Sequence, residues 1–136
     1  MELRSGRRGH TVRDVSDVEM TVAVAHPAPG TALIAVSGEV DMLSTPTLLK
    51  MIEDQVAAGP QRLIIDMAAV TFMGTSGLAV LVEALSMSRV RGTDLRLVCA
   101  TAAVRRPLEL AGLITLFQVT ATASEALERT AHTDPA

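Results

Sequence analysis

The sequence predicts an α/β domain built on a mixed, mostly parallel sheet, and three observations carry that prediction. Residues 62–67, Arg-Leu-Ile-Ile-Asp-Met, form a continuous apolar run rather than an alternating one, the pattern of a strand buried on both faces. Apolar residues recur at helical spacing at Leu48, Leu49, Ile52 and Val56, and again at Leu78, Leu81, Val82 and Leu85. Glycine and proline separate these segments, at Gly59-Pro60, Gly92 and Gly112. The resulting order β-β-α-β-α-β-α-β-α joins the later strands by right-handed helical crossovers.

In order along the chain, residues 1–17 are polar, contain Arg4, Arg7, Arg8 and Arg13 and lack periodicity, which predicts a disordered leader. The domain is expected over residues 18–130, followed by a polar tail at 131–136. Residues 20–25 and 32–36 read as two strands of a hairpin, joined by His26-Pro27-Ala28-Pro29-Gly30. Ser44 offers a capping hydroxyl and Pro46 suits a first helical turn, so a helix follows and ends at Gly59-Pro60. The strand at 62–67 leads through 68–71 into Phe72-Met73-Gly74-Thr75-Ser76-Gly77, after which a second helix runs to about Arg91-Gly92. A strand at 95–99 comes next, then a helix over 101–111 in which Pro107 starts a new turn or bends the axis. A short strand at 116–119 and a helix beginning at Ser124 complete the pattern.

Length and composition bound the function. With 136 residues and 49% hydrophobic content the chain supports one core. A net charge of −3, with only Phe72 and Phe117 as aromatics, argues against nucleic-acid binding. Cys99 is the only cysteine, which excludes an intramolecular disulfide, favours the cytoplasm and reads as a small core residue. Apolar runs fall far short of the roughly 20 residues that span a bilayer, and no apolar stretch follows the early arginines, so neither membrane insertion nor a signal peptide is predicted. His10, His26 and His132 lie in leader, loop and tail, away from any nucleophile. No ligand cluster has metal-site spacing and no phosphate-binding glycine loop is present, so no cofactor, metal or intrinsic catalysis is expected.

The candidate site is the turn at Met73-Gly74-Thr75-Ser76-Gly77. Thr75 or Ser76 can cap the following helix, and capping alone would explain two hydroxyls there. Ligands of open α/β sheets collect beyond the carboxyl ends of the parallel strands, so topology makes Asp41 and Thr75 neighbours. Met73 offers an adaptable apolar contact beside the turn. The segment from Gly74 to Leu78 matches a nucleophile elbow in part, with the second glycine one position early, which leaves a small serine hydrolase using Ser76 as a remote alternative.

Ser37-Gly38-Glu39-Val40-Asp41 and Asp66-Met67-Ala68-Ala69-Val70-Thr71-Phe72-Met73-Gly74-Thr75-Ser76-Gly77-Leu78 resemble the two signature segments of STAS domains, above all those of the single-domain anti-sigma factor antagonists. The likeness extends through Val104-Arg105-Arg106 and Leu108-Glu109-Leu110-Ala111-Gly112-Leu113. The resemblance implies a STAS-like fold and a protein that, unphosphorylated, binds a kinase-type anti-sigma factor and frees a sigma factor. Phosphorylation of Thr75, less readily of Ser76, would switch it off, with a phosphatase as a further partner. By the same likeness Gly38, Asp41, Met73, Gly74, Thr75, Ser76 and Gly77 are the partner-binding residues. The family commonly carries Asp where this chain has Gly74 and Ser where it has Thr75. That departure keeps open a second reading, a non-phosphorylated scaffold subunit of a signalling assembly or lipid transporter.

Overall fold

A computed structural model describes residues 9–13 and 19–128. Among these, six strands form one sheet in the spatial order of their sequence: β1 (Gly9–Arg13), β2 (Glu19–Ala28), β3 (Thr31–Val40), β4 (Arg62–Met73), β5 (Asp94–Val98) and β6 (Gln118–Thr120). β1, β2 and β3 pair antiparallel, and β3 to β6 are parallel. The crossovers are α1 (Thr45–Ala57), α2 (Thr75–Arg91) and α3 (Ala102–Leu110), and α4 (Ala123–Glu128) follows β6.

Alternation along the strands divides the core between two faces. Leu63, Ile65 and Met67 of β4 and Leu95 and Leu97 of β5 meet Leu48, Ile52 and Val56 of α1, Val80, Leu81 and Ala84 of α2, and Val104 and Leu108 of α3. On the opposite face, Ile64 and Val98 are covered by Ala126 of α4. The predicted strand buried on both faces is thus central β4.

Several boundaries differ from the sequence expectation. Gly9–Arg13, inside the segment predicted as leader, form β1, which pairs with the outer edge of β2 through register positions such as Thr11 with Thr21. The open edge of β2 supplies backbone partners to this segment, so the sheet begins before residue 18. The remaining leader residues and the tail from residue 129 lie outside the described residues. β2 and β3 continue into the expected loop, with Gly30 at φ +75 making the turn and an irregularity between Ala25 and Ala28, where Pro27 has no N–H for the ladder. β4 runs on past residue 67 to Met73, because β3 reaches Val40 and supplies partners to the end. The register slips twice between these strands, and Asp66 accepts the Ala68 N–H near the first slip.

The helices depart in similar ways. α2 buries the predicted stripe in part: Leu81 is fully buried and Leu78 and Leu85 pack half-buried against the core, while Val82 is exposed and Gly77, Val80, Ala84 and Ser88 complete the buried face. α3 runs through Pro107 with no new start, at the cost of one intrahelical bond. The last strand begins after a 3-10 turn at Ile114–Leu116. α4 starts at Ala123, where Thr122 Oγ1 accepts the Glu125 N–H and Glu125 accepts the Ala121 N–H, a reciprocal cap.

α4 is fastened by charge as well as by apolar contact. Arg96, only 2% exposed, grips Asp94 with Nε and Nη2 at 3.1 and 3.0 Å. Asp94 also accepts from Arg62, whose Nη1 donates to the carbonyls of Ala126 and Leu127 at 3.4 and 3.2 Å. Removing the carboxylate leaves a buried guanidinium without its counter-charge, and such uncompensated charges cost about 3–5 kcal/mol. Asp94→Ala is therefore expected to lower unfolding stability by about 3 kcal/mol in a denaturant titration; a loss below about 1 kcal/mol would contradict this role.

Candidate functional site

The site is assembled where β3 and β4 end side by side. Val40 and Met73 are register partners, and the Gly74 N–H donates to the Val40 carbonyl at 2.9 Å, carrying the ladder one residue beyond the strand. The chain then turns into α2. Gly74 is the N-cap in extended conformation (φ −87, ψ −179), and its carbonyl accepts from Gly77 and Leu78 at 3.0 and 3.3 Å.

Neither hydroxyl caps the helix, contrary to the sequence expectation. Thr75 and Ser76 are the first and second helical residues, and no side-chain cap bond is made at this end. Their hydroxyls are spared because the Val40–Gly74 bond, rather than a side chain, fixes where helical geometry begins. Thr75 is exposed and Ser76 half-buried. The Thr75 hydroxyl therefore stands in solvent at the positive end of a helix of 17 residues.

Gly77 is required by space. A Cβ there would lie 2.6 Å from Met73 Cγ, 3.1 Å from its sulfur and 3.0 Å from Val40 Cγ1. The first turn of α2 thus rests directly on the two strand ends. Met73 is 4% exposed and fills the space beneath this turn, so it belongs to the core and not to the surface contact that sequence suggested. Gly74 is different. Its backbone suits any residue, and a Cβ would find its nearest neighbours at ordinary contact distance, the Phe72 ring at 3.5 Å and the Val40 carbonyl oxygen at 3.9 Å.

Asp41 opens the neighbouring loop and organises it. Its carboxylate accepts the N–H groups of Leu43 and Ser44 at 3.0 and 3.1 Å. The buried Ser44 hydroxyl donates to the Glu39 carbonyl and accepts the Asp41 N–H, so it braces the loop instead of capping α1. Gly38 lies within β3 at φ +89, paired with Met20 and Val70 beside a register slip. Its part is to let the strand shift so that Val40 meets Met73. Asp41, Gly74 and Thr75 are thus brought to one end of the sheet, while Gly38, Met73 and Gly77 act from beneath.

Three residues at this end escaped the sequence reading. Met42 and Leu43 follow Asp41 with 74% and 67% exposure, and Phe72, the residue before Met73, is 49% exposed. Their signal was two adjacent apolar residues held between a turn-forming Asp and Ser, a place where polar residues are usual. All three stand at the end of the sheet where β3 and β4 finish.

The hydrolase alternative gains no histidine partner for Ser76 from His26. His26 lies beside the β2–β3 turn, at the opposite end of the sheet from Ser76. Cys99 is buried, and burial pushes its thiol above the ordinary value, which suits the predicted core role. Among the described residues no helix is long and apolar enough to cross a membrane.

Comparison with known proteins places these features in context. A family model described as STAS domain matches residues 23–126. The anti-sigma-F factor antagonist RsfB of Mycobacterium tuberculosis is 34% identical over 108 residues, covering 79% of this chain and 87% of that protein. The crystal structure of an anti-sigma factor antagonist from Mycobacterium paratuberculosis superposes with a TM-score of 0.74 at 34% identity, covering 79% of this chain and 91% of the other. The unphosphorylated anti-sigma factor antagonist SpoIIAA shares the fold with a TM-score of 0.69 at 19% identity, over 79% and 94% of the two chains.

The contrast between the three small residues is measurable by thermal and chemical unfolding. Gly77→Ala forces a methyl into occupied space and is expected to cost about 1–3 kcal/mol. Gly74→Asp introduces no strain and supplies a capping carboxylate, so stability should hold or rise by up to about 1 kcal/mol. Ser76→Ala, removing a hydroxyl that caps nothing, should stay within about 0.5 kcal/mol of wild type. A Gly77→Ala protein as stable as wild type would refute the close approach of α2.

Proposed function

The chain belongs to the STAS-domain family, and on that premise we propose that it is an anti-sigma factor antagonist, docking through the end of the sheet that carries Asp41, Gly74 and Thr75. Its partner in this reading is an anti-sigma factor of the serine/threonine-kinase type, bound in the cytoplasm while Thr75 is unmodified, so that a sigma factor is released. Phosphorylation of Thr75 by the same partner ends the interaction, and a phosphatase restores it. The protein itself performs no catalysis.

The observation that carries this reading is the state of Thr75: an exposed hydroxyl at the start of α2, committed to no cap, at the same end of the sheet as the exposed Met42, Leu43 and Phe72. A phosphothreonine adds about −1.5 to −2 charges at pH 7. At a helix N-terminus that charge is locally favourable by about 0.3–1 kcal/mol, so the fold tolerates it. An apolar docking surface does not, because contact would strip water from the new charge. The switch therefore acts on the interface and leaves the domain folded.

Gly74 favours one competing reading, a scaffold subunit that is never phosphorylated, since the turn lacks the carboxylate common in the family. The two readings separate when the protein is incubated with a kinase-type anti-sigma factor from the same genome and ATP, and any phosphate is located by mass spectrometry. Phosphate is expected on Thr75 and lost in Thr75→Ala, while Ser76→Ala still accepts it. Phosphate on Ser76 in the wild-type protein would overturn the assignment. Tight binding without labelling of either wild type or Gly74→Asp would establish the scaffold.

Thr75→Glu mimics the modified state. It should bind the anti-sigma factor at least tenfold more weakly by calorimetry, a loss of about 1.4 kcal/mol or more, with a near-native melting temperature. Unfolding of the Thr75→Glu domain would contradict a switch confined to the interface.

A further inference from the structure

We propose that Met42 is an oxidation site that regulates docking, an inference that rests on the antagonist reading above and adds a second control to the same surface. The six methionines that the structure describes occupy different environments. Met20, Met67 and Met73 are buried, and Met51 and Met87 pack partly buried against the core. Met42 alone among them is largely exposed, at 74%. A solvent-borne two-electron oxidant such as hydrogen peroxide therefore reaches its thioether before those of the other five.

The position gives that oxidation a consequence. The backbone on either side of Met42 is fixed, with the Leu43 and Ser44 N–H groups on the Asp41 carboxylate and the Ser44 hydroxyl tied to Glu39 and Asp41. Met42 itself belongs to neither buried cluster. Its thioether is thus presented by a rigid turn, beside exposed Leu43 and at the end of the sheet where Phe72 and Thr75 stand. Methionine suits an adaptable contact, being unbranched and polarisable.

The reaction balances simply. The sulfur lone pair attacks one peroxide oxygen, the O–O bond breaks, and methionine sulfoxide and water result, with sulfur oxidised by two electrons and peroxide reduced. An apolar contact atom becomes a strongly polar S=O group that must be dehydrated for docking. Nothing in the core changes, so the oxidised protein stays folded and fails only to bind. Methionine sulfoxide reductase returns the thioether.

The test uses the full chain, dilute hydrogen peroxide and the kinase-type anti-sigma factor that binds it. Peptide mapping over time is expected to show sulfoxide at Met42 at least tenfold faster than at Met20, Met67 or Met73, and faster than at Met51 or Met87. At the stage where Met42 alone of these six is modified, the melting temperature should be unchanged and affinity should fall about fivefold or more, recovering after reductase treatment. Met42→Leu, which carries no oxidisable sulfur at this position, should keep its own starting affinity through the same peroxide exposure. Equal or earlier oxidation of Met51 or Met87, or full affinity with Met42 oxidised, would overturn the proposal. Failure of the unoxidised protein to bind any such anti-sigma factor would instead overturn the antagonist reading, and the proposed control of docking with it.

Discussion

The absence of a side chain at residue 77 is the constraint on which the site depends. Because nothing projects from Gly77, the first turn of α2 settles onto Val40 and Met73, the last residues of two paired strands. That contact fixes the helix start, and the helix start in turn decides which side chains face water. Thr75 faces outward because the buried approach is taken by the residue two positions later. The same contact explains why Met73 is consumed by the core, filling the space a larger residue at 77 would have needed. Small residues continue along this face of the helix at Ala84 and Ser88, so α2 lies close against its neighbours over much of its length.

Periodicity made much of the fold legible, and the parts it missed share a cause. The central strand was visible because residues buried on both faces cannot alternate, and α1 because its stripe is both apolar and bulky. α2 was read only in part: hydrophobicity found Leu81, Leu78 and Leu85, whereas the close approach selects the rest of the buried face by size. Gly77, Ala84 and Ser88 are weakly apolar or polar, yet they are buried, while Val82 is not. The helix start was misassigned for a related reason: hydroxyl preference at N-caps is a local rule, and here a long-range backbone bond from Gly74 to Val40 decides the boundary. β1 was missed because its five residues carry little hydrophobicity and owe their conformation to the edge they join.

The site itself was legible in outline and not in division of labour. Resemblance and topology together brought Asp41 and Thr75 to the same end of the sheet. They did not separate residues that shape the surface from those that form it. Asp41 spends its carboxylate on its own loop, and Gly38 supplies a backbone conformation. The apolar groups that sequence reading passed over, Met42, Leu43 and Phe72, are the ones presented to solvent. At the other end of β5, charge is used in the opposite way: Asp94, Arg96 and Arg62 are drawn inward to fasten α4.

The Val40–Met73 pairing also has a consequence for how the chain reaches its active form. The two strands are parallel, so they meet only after the intervening helix has formed and folded back across the sheet. Contacts of such separation are expensive in chain entropy and are among the later ones to be secured during folding. Until they form, Asp41 and Thr75 belong to unrelated parts of a loose chain, and no composite surface exists. A ribosome-bound or partly unfolded molecule therefore lacks this composite surface, which only chains that have completed their central crossover present.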